Sequence, residues 1–281
     1  MEKLSRATRT SKRRTPSARR ALRLVSFLAP NLFWFYEFVS RYLAEKLQYP
    51  VELLVETDYA ELANADMAFI CGLPYVEHDR LGLPPFEPLA APVLSGKRYG
   101  GKAVYFSDVI VRRESPFGCF ADLRGRSWAY NEPLSQSGPG VTRYQLAVNG
   151  ETNGYFSRIV EAGYHERAIQ MVCAGIVDAS AIDSHVLELL LRDDRALFGK
   201  LRVIDTFGPS PIQPFVARTA LSRALKDEAA QALIELGDDP EAQLPLRRAL
   251  VERFERVSDS TYDEIRRMRA VADGVVFHAI L

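Results

Sequence analysis

This 281-residue chain lacks several features, and each absence closes off a class of function. Lys and Arg total 36 and Asp and Glu total 36, so the chain has no net charge to steer it toward nucleic acid or a membrane surface. Only three cysteines occur, Cys71, Cys119 and Cys173, far apart and without CxxC spacing. That excludes a full disulfide framework and a thiolate zinc site, leaving at most one pair in an oxidising compartment. Their apolar or small neighbours predict three buried thiols. The four histidines, His78, His165, His185 and His278, show no metal-ligand spacing, so neither metal nor other cofactor is expected. No apolar run is long enough to span a bilayer.

One charge asymmetry stands out at the N-terminus. Residues 1–20 hold eight Lys and Arg against Glu2, a surplus of seven positive charges balanced by seven negative charges over the remainder. The segment is rich in Ser, Thr and Arg and poor in apolar residues, so it is expected to be a disordered basic arm. A solvated tail is preferred to nucleic-acid binding. No apolar stretch of roughly 7–15 residues follows it, so no secretory leader is visible.

With 47% hydrophobic residues the chain can fill one large core or two smaller ones joined by a hinge. From residue 21 short β-rich runs alternate with helical ones. Strands are expected at 23–27, 51–55 and 67–71, with an amphipathic helix over 31–47 and a short one over 57–62, the βαβαβ pattern of a parallel sheet. Residues 84–96, punctuated by Pro and Gly, read as a crossing between lobes. Beyond strands at 103–107 and 109–111 the alternation restarts. Strands are expected at 127–130, 179–182 and 201–205, and helices at 140–148, near 155–162, at 165–174 and at 184–192. Residues 207–214 read as the return crossing, followed by a strand at 215–218 and a mainly helical tail. The expected organisation is a first lobe of residues 21–106 plus 210–281 and a second of 107–209, with the ligand in the cleft between them.

The most informative stretch is residues 130–144, where Ser135, Gln136, Ser137 and Gly138 close a strand and open a helix. The first amides of a helix have no intrahelical acceptor, and aligned peptide dipoles leave about half a positive charge there. Such an end binds anions, and the serine hydroxyls add donors. Pro139 suits a first turn because its missing N–H wastes nothing. The plainer alternative is an ordinary serine cap. Asp183 and Ser184 follow a buried strand at its carboxyl end, where open α/β sheets place ligands, and a helix cap would look the same. A Cys173–His165 nucleophilic pair is discounted, because eight residues separate the two over more than two helical turns.

Several segments, in order and at suitable spacing, resemble the phosphonate, phosphite and phosphate family of ABC-transporter solute-binding proteins. They are Trp34, Thr57-Asp58-Tyr59, Asp66-Met67-Ala68-Phe69-Ile70 with Pro74-Tyr75, Tyr105-Phe106-Ser107, Asp122-Leu123-Arg124-Gly125, Ser135-Gln136-Ser137-Gly138, Gly163-Tyr164-His165, Val177-Asp178-Ala179 with Ile182-Asp183-Ser184, and Asp259-Ser260-Thr261. The resemblance spans roughly residues 22–272. It implies a two-lobed α/β type II periplasmic-binding-protein fold, with two parallel-rich mixed sheets flanked by helices and joined by a two-crossing hinge. It also implies a non-enzymatic binder of a small oxyanion, held at Ser135, Gln136, Ser137 and Gly138 with further contacts from Tyr59, Tyr105 and His165, and an ABC permease as partner. The implied location is periplasmic; because no leader is visible, a cytosolic sensor or small-molecule enzyme on the same fold is the alternative. Without the resemblance, Tyr59 and Tyr105 read as half-buried aromatics and His165 as a side chain near a helix cap. Family members that select aminoalkyl phosphonates place acids where His185 and Gln213 fall, which here implies an anion without an amine. Gln136 replaces the threonine more usual in the motif.

Overall fold

The computed structural model describes residues 20–275. The basic arm, Arg20 excepted, and His278 lie outside the described residues. Two mixed sheets flanked by helices build the molecule. The first contains β1 (Leu22–Ser26), β2 (Val51–Val55), β3 (Met67–Phe69) and β4 (Phe86–Leu94). Next along the chain, β5 (Val104–Arg112), β6 (Ser127–Tyr130), β7 (Arg158–Glu161), β8 (Ala179–Asp183) and β9 (Leu201–Pro211) form the second sheet. The chain then returns to the first sheet through β10 (Phe215–Arg218) and β11 (Val251–Arg256). The strand orders are β11-β4-β10-β3-β1-β2 and β7-β6-β8-β5-β9. β1 runs parallel to β2 and β3, and β6 parallel to β7 and β8, as the βα alternation requires. The remaining five pairings are antiparallel, so both sheets change direction where the chain crosses between lobes.

Each lobe has its own apolar interior. Helix Phe33–Lys46 turns Phe35, Tyr36, Val39, Tyr42 and Leu43 onto the first sheet, against Leu24 and Phe215. In the second lobe Trp128 is fully buried at the centre of an aromatic cluster, stacked on Phe156 with ring centroids 4.7 Å apart and edge-on to Phe120. Trp34 by contrast is half-buried, with the Arg248 guanidinium over its ring.

Several expectations are corrected, each for a tertiary reason. Residues 84–96 hold a nine-residue strand, β4, despite Pro88 and Pro92. β10 pairs with Phe86 through Ala90, and β11 with Ala90 through Leu94. Each proline therefore sits where β4 has a neighbour on one side only, and its missing donor costs no ladder bond. The break expected at residue 108 is absent, because the Arg98 guanidinium grips the Asp108 carboxylate at 2.9 and 2.7 Å and lets it sit inside the continuous strand β5. The helix expected near 155–162 is replaced by β7, which completes a parallel pair with β6. The return crossing is shorter than expected: β9 stays paired with β5 as far as Pro211, and the Ile212 amide donates to Ala103 O. The two crossings thus run side by side. The tail includes the strand β11, and Cys119 is exposed rather than buried. No helix among the described residues is long and apolar enough to cross a membrane.

Candidate functional site

Parallel strands deliver their carboxyl ends to one side of a sheet, and here both sheets point those ends at the same crevice. β1 leads into Phe27, Leu28 and Ala29, β3 into Cys71, β6 into Asn131 and Glu132, β7 into Tyr164 and His165, and β8 into Asp183 and His185. This is the topological switch point at which α/β sheets bind ligands.

The crevice has two contiguous chambers. The inner, with a volume of about 60 Å³, is lined by Ser135, Ser137, His165, Asp183, His185 and Gln213 together with Tyr36, Cys71 and Leu32. A single water needs roughly 10–15 Å³ on this measure, so the inner chamber has room for a few atoms only. The outer, about 400 Å³, is bounded by Glu56, Thr57, Tyr59, Glu161, Gly163 and Tyr164. Asn131, Glu132, His165 and Phe27 belong to both walls. Neither wall contains Lys or Arg.

The serine segment forms a wide π turn, Gln136–Gly140, leading into helix Val141–Val148. Such turns are rare and concentrate at functional sites. The turn is tightly fitted. A Cβ on Gly138 would stand 2.2 Å from Asn131 Oδ1, and one on Gly140 would stand 2.7 Å from Gln136 Oε1 and 3.1 Å from Ser135 O. Gly138→Ala is therefore expected to push the Asn131 amide into the crevice, costing about 1–3 kcal/mol as overpacking does. Thermal denaturation without ligand measures that cost, and an unchanged melting temperature would contradict it.

The amides of this turn are only partly used. Gly140 N donates to Ser135 O, Gly138 N reaches Ser135 Oγ at 3.3 Å, and Gln136 N has the weak acceptor Cys71 Sγ at 3.3 Å. No protein acceptor among the described residues meets the Ser137 amide. The Ser137 hydroxyl lies 2.7 Å from His165 Nε2 and 3.1 Å from Ser135 Oγ. Burial pulls the His165 pKa down to about 3, so the ring is neutral, and its Nδ1 is buried without a partner. Tyr105 is fully buried, its hydroxyl beside those of Ser137 and Ser210 yet without a well-formed hydrogen bond. These groups are hydroxyl, amide and imidazole donors around a small space, and some of their capacity is uncommitted.

Two carboxyls complete the walls. Asp183 is buried, which pushes its pKa up to about 6, and it accepts from Gln213 Nε2 at 2.6 Å and from the His185 amide at 2.8 Å. Glu132, pushed up to about 7 chiefly by burial and further by Glu161, accepts from Tyr59 Oη at 3.0 Å. The Tyr59–Glu132 bond joins the two lobes across the crevice, as does the bond from Asn31 N to Glu166 Oε1 at 3.1 Å. Phe27 stacks on the Tyr59 ring at 4.7 Å. Cys71, with its pKa raised to about 12 by burial, is an un-ionised thiol.

The residues singled out in the sequence divide accordingly. Ser135, Ser137, His165 and Asp183 line the inner chamber, Tyr59 the outer, and Tyr105 stands behind Ser137. Gln136 turns its side chain away, donating to Met268 Sδ. Gly138 contributes close fit rather than lining surface. The Ser184 hydroxyl is spent on Phe106 N at 3.0 Å and Tyr99 Oη at 3.2 Å, away from either chamber. Sequence reasoning passed over Phe27, Tyr36, Cys71, Asn131 and Glu132 as site residues. All but Tyr36 follow a parallel strand directly, so strand-end position was the available signal.

Known proteins match this architecture. The sequence profile of the family described as "ABC transporter, phosphonate, periplasmic substrate-binding protein" matches residues 31–262. The phosphonates-binding periplasmic protein of Escherichia coli (strain K12) is 29% identical over 175 residues, 60% of this chain but only 51% of that protein, so the chain spans about half the length of this curated relative. A binding-protein component of an ABC phosphonate transporter from Pseudomonas aeruginosa superposes with a TM-score of 0.77 at 21% identity, covering 90% of this chain and 86% of that one. PhnD1 from Prochlorococcus marinus, solved in complex with methylphosphonate, superposes with a TM-score of 0.79 at 17% identity, covering 91% and 99%. At such identities the superpositions establish a shared fold, the two-lobed type II periplasmic-binding-protein architecture. With the profile covering most of its length, the chain belongs to the family of phosphonate-binding periplasmic substrate-binding proteins of ABC transporters.

Proposed function

We propose that the inner chamber captures a small tetrahedral oxyanion, a phosphonate, phosphite or phosphate, for delivery to an ABC permease outside the cytoplasmic membrane. The observation that carries this reading is the set of donors gathered at a space of only about 60 Å³: the Ser137 amide, the buried Tyr105 hydroxyl and His165 Nδ1 have no protein partner among the described residues, and the Ser135 and Ser137 hydroxyls are bonded to each other and to His165 Nε2, from which a charged ligand can draw them. A hydrogen bond to a charged acceptor contributes roughly 1.5–3 kcal/mol, so a handful of preorganised donors suffices without Lys or Arg. Family membership supports the permease and the periplasmic location, and the methylphosphonate complex of PhnD1 supports the class of ligand. Binding without turnover agrees with Cys71 being held as a neutral thiol.

Phosphate, phosphite, methylphosphonate and sulfate are the discriminating probes, titrated by calorimetry and by thermal shift. A ligand present at about 100 times its dissociation constant is expected to add about 2.7 kcal/mol of stability. No shift with any of the four would overturn the proposal, and conversion of a probe to product would replace a binder with an enzyme.

A further inference from the structure

The crevice walls offer an incoming anion no cation. Of the titratable groups lining the two chambers, four are acids, Glu56, Glu132, Glu161 and Asp183; the others are the phenols of Tyr36, Tyr59 and Tyr164, the thiol of Cys71 and the imidazoles of His165 and His185. Burial pushes the thiol up to about 12 and pulls the two imidazoles down to about 3 and 4, so none of these groups is positive near neutral pH. None of the four acids has a Lys or Arg partner among the described residues.

An oxyanion in the inner chamber meets two of these acids, Glu132 and Asp183, and their bonding differs. Asp183 has an N–H on each oxygen, His185 N on Oδ1 at 2.8 Å and Gln213 Nε2 on Oδ2 at 2.6 Å, and such donors favour the ionised form. The Glu132 carboxyl accepts from Tyr59 Oη on Oε1 at 3.0 Å, and no donor reaches Oε2 among the described residues. Burial, with Glu161 adding to it, pushes its pKa up to about 7. An ionised Glu132 beside the ligand would put two like charges in one water-poor site, and a proton removes the conflict. Oε2 is free to carry that proton while Oε1 keeps Tyr59. So protonated, it changes from an acceptor that repels the ligand into a donor, and an O–H donated to an oxyanion is a short, charge-assisted bond.

Building on the oxyanion reading, we propose that the tetrahedral head is captured together with one proton from solvent, carried on Glu132 Oε2 and donated to the head. Glu132 is then a ligand-binding residue as well as the partner of Tyr59 across the crevice, and it makes capture depend on pH. Below about 7 the ligand-free carboxyl already holds the proton, and affinity does not depend on this group. Above that value each capture takes up a proton, and affinity falls toward tenfold per pH unit.

Methylphosphonate titrated by calorimetry into the full-length wild type and Glu132→Gln, from about pH 6 to 9 and in buffers of differing ionisation enthalpy, tests this. The titration of the ligand and of the other wall groups is common to both proteins, so the ratio of wild-type to variant affinity isolates Glu132. That ratio is expected to stay level near pH 6 and to fall toward tenfold per unit above about pH 8, the wild type taking up close to one proton more per ligand than the variant. Tyr59→Phe removes the donor that favours ionised Glu132, so in that variant the fall in affinity is expected to begin at higher pH. A merely structural role for the pair would not move that profile, and this variant decides the matter should Glu132→Gln fail to fold. A level ratio with equal proton counts, or an unmoved profile in Tyr59→Phe, would overturn the proton on Glu132 and leave the oxyanion site standing. At pH 6 the proton is already in place, so failure of methylphosphonate, phosphate, phosphite and sulfate all to bind the wild type there would overturn the oxyanion reading, and this inference with it.

Discussion

Ser137→Asp is expected to abolish oxyanion binding, weakening it by at least a thousandfold while the protein still folds. Ser137 is 2% exposed and lines the inner chamber, its hydroxyl lies 2.7 Å from His165 Nε2, and its amide has no protein acceptor among the described residues. An aspartate there removes a donor and adds an acceptor or a negative charge where the ligand charge must sit. Leaving a buried charge uncompensated costs about 3–5 kcal/mol, and each 1.4 kcal/mol is tenfold in affinity. Ligand-free thermal denaturation of the same variant separates a loss of folding from a loss of binding. Ser137→Ala provides the milder comparison: it deletes one donor to a charged acceptor, a loss of roughly 1.5–3 kcal/mol in binding. Calorimetric titration of both variants with whichever probe binds the wild type reads the effect. Unaltered affinity in Ser137→Asp would remove the serine turn from the site.

Glu132→Gln is expected to remove a loss of stability that the wild type suffers as pH rises. The Glu132 carboxyl is held at about 7 against its ordinary 4.5, mainly by burial. Its folded-state pKa is raised, so folding binds a proton. The associated stability is complete below about 4.5 and is lost as pH rises through about 7. At 1.36 kcal/mol per pK unit the loss is on the order of 3 kcal/mol. Glutamine keeps an acceptor for Tyr59 Oη and cannot ionise, so the variant should match the wild type near pH 4 and exceed it near pH 8. Comparison at each pH is needed because other buried groups titrate. His165 and His185, pulled down to about 3 and 4, lose stability as pH falls below their ordinary 6.5, whereas Asp183, pushed up to about 6, loses it as pH rises through that value. Subtracting the wild-type curve from the variant curve cancels those three. Parallel denaturant-unfolding curves between pH 4 and 8 would show that Glu132 is not buried in the folded protein.

The βαβαβ opening, the helix at 31–47 and the alternation after residue 127 were legible because each carries a strong local period. The strands β4, β7 and β11 were not. β4 contains two prolines that local rules forbid in a strand, and only the staggered cover by β10 and β11 makes them harmless. β7 is four residues whose strand character is conferred by β6 beside it. In the candidate site, the serine turn was legible as a strand-to-helix junction rich in hydroxyls and glycines, which an ordinary serine cap would also produce. Glu132 was invisible despite adjoining that turn, since a glutamate in a loop reads as solvated until the opposite lobe closes over it and Tyr59 bonds to it.

By itself the amino-acid sequence determined the two α/β halves, the family and the donors at Ser135 and Ser137, because hydrophobic period and helix-start chemistry act over a few residues. Which donors stay uncommitted, the acceptance of Tyr99 Oη and Phe106 N by the Ser184 hydroxyl, the donation of the Gln136 amide to Met268, and the acidic aromatic outer chamber were decided only by the tertiary structure. Burial and pairing are properties of neighbours brought from distant parts of the chain: Tyr59 and Glu132 lie 73 residues apart in sequence and 3.0 Å apart in space.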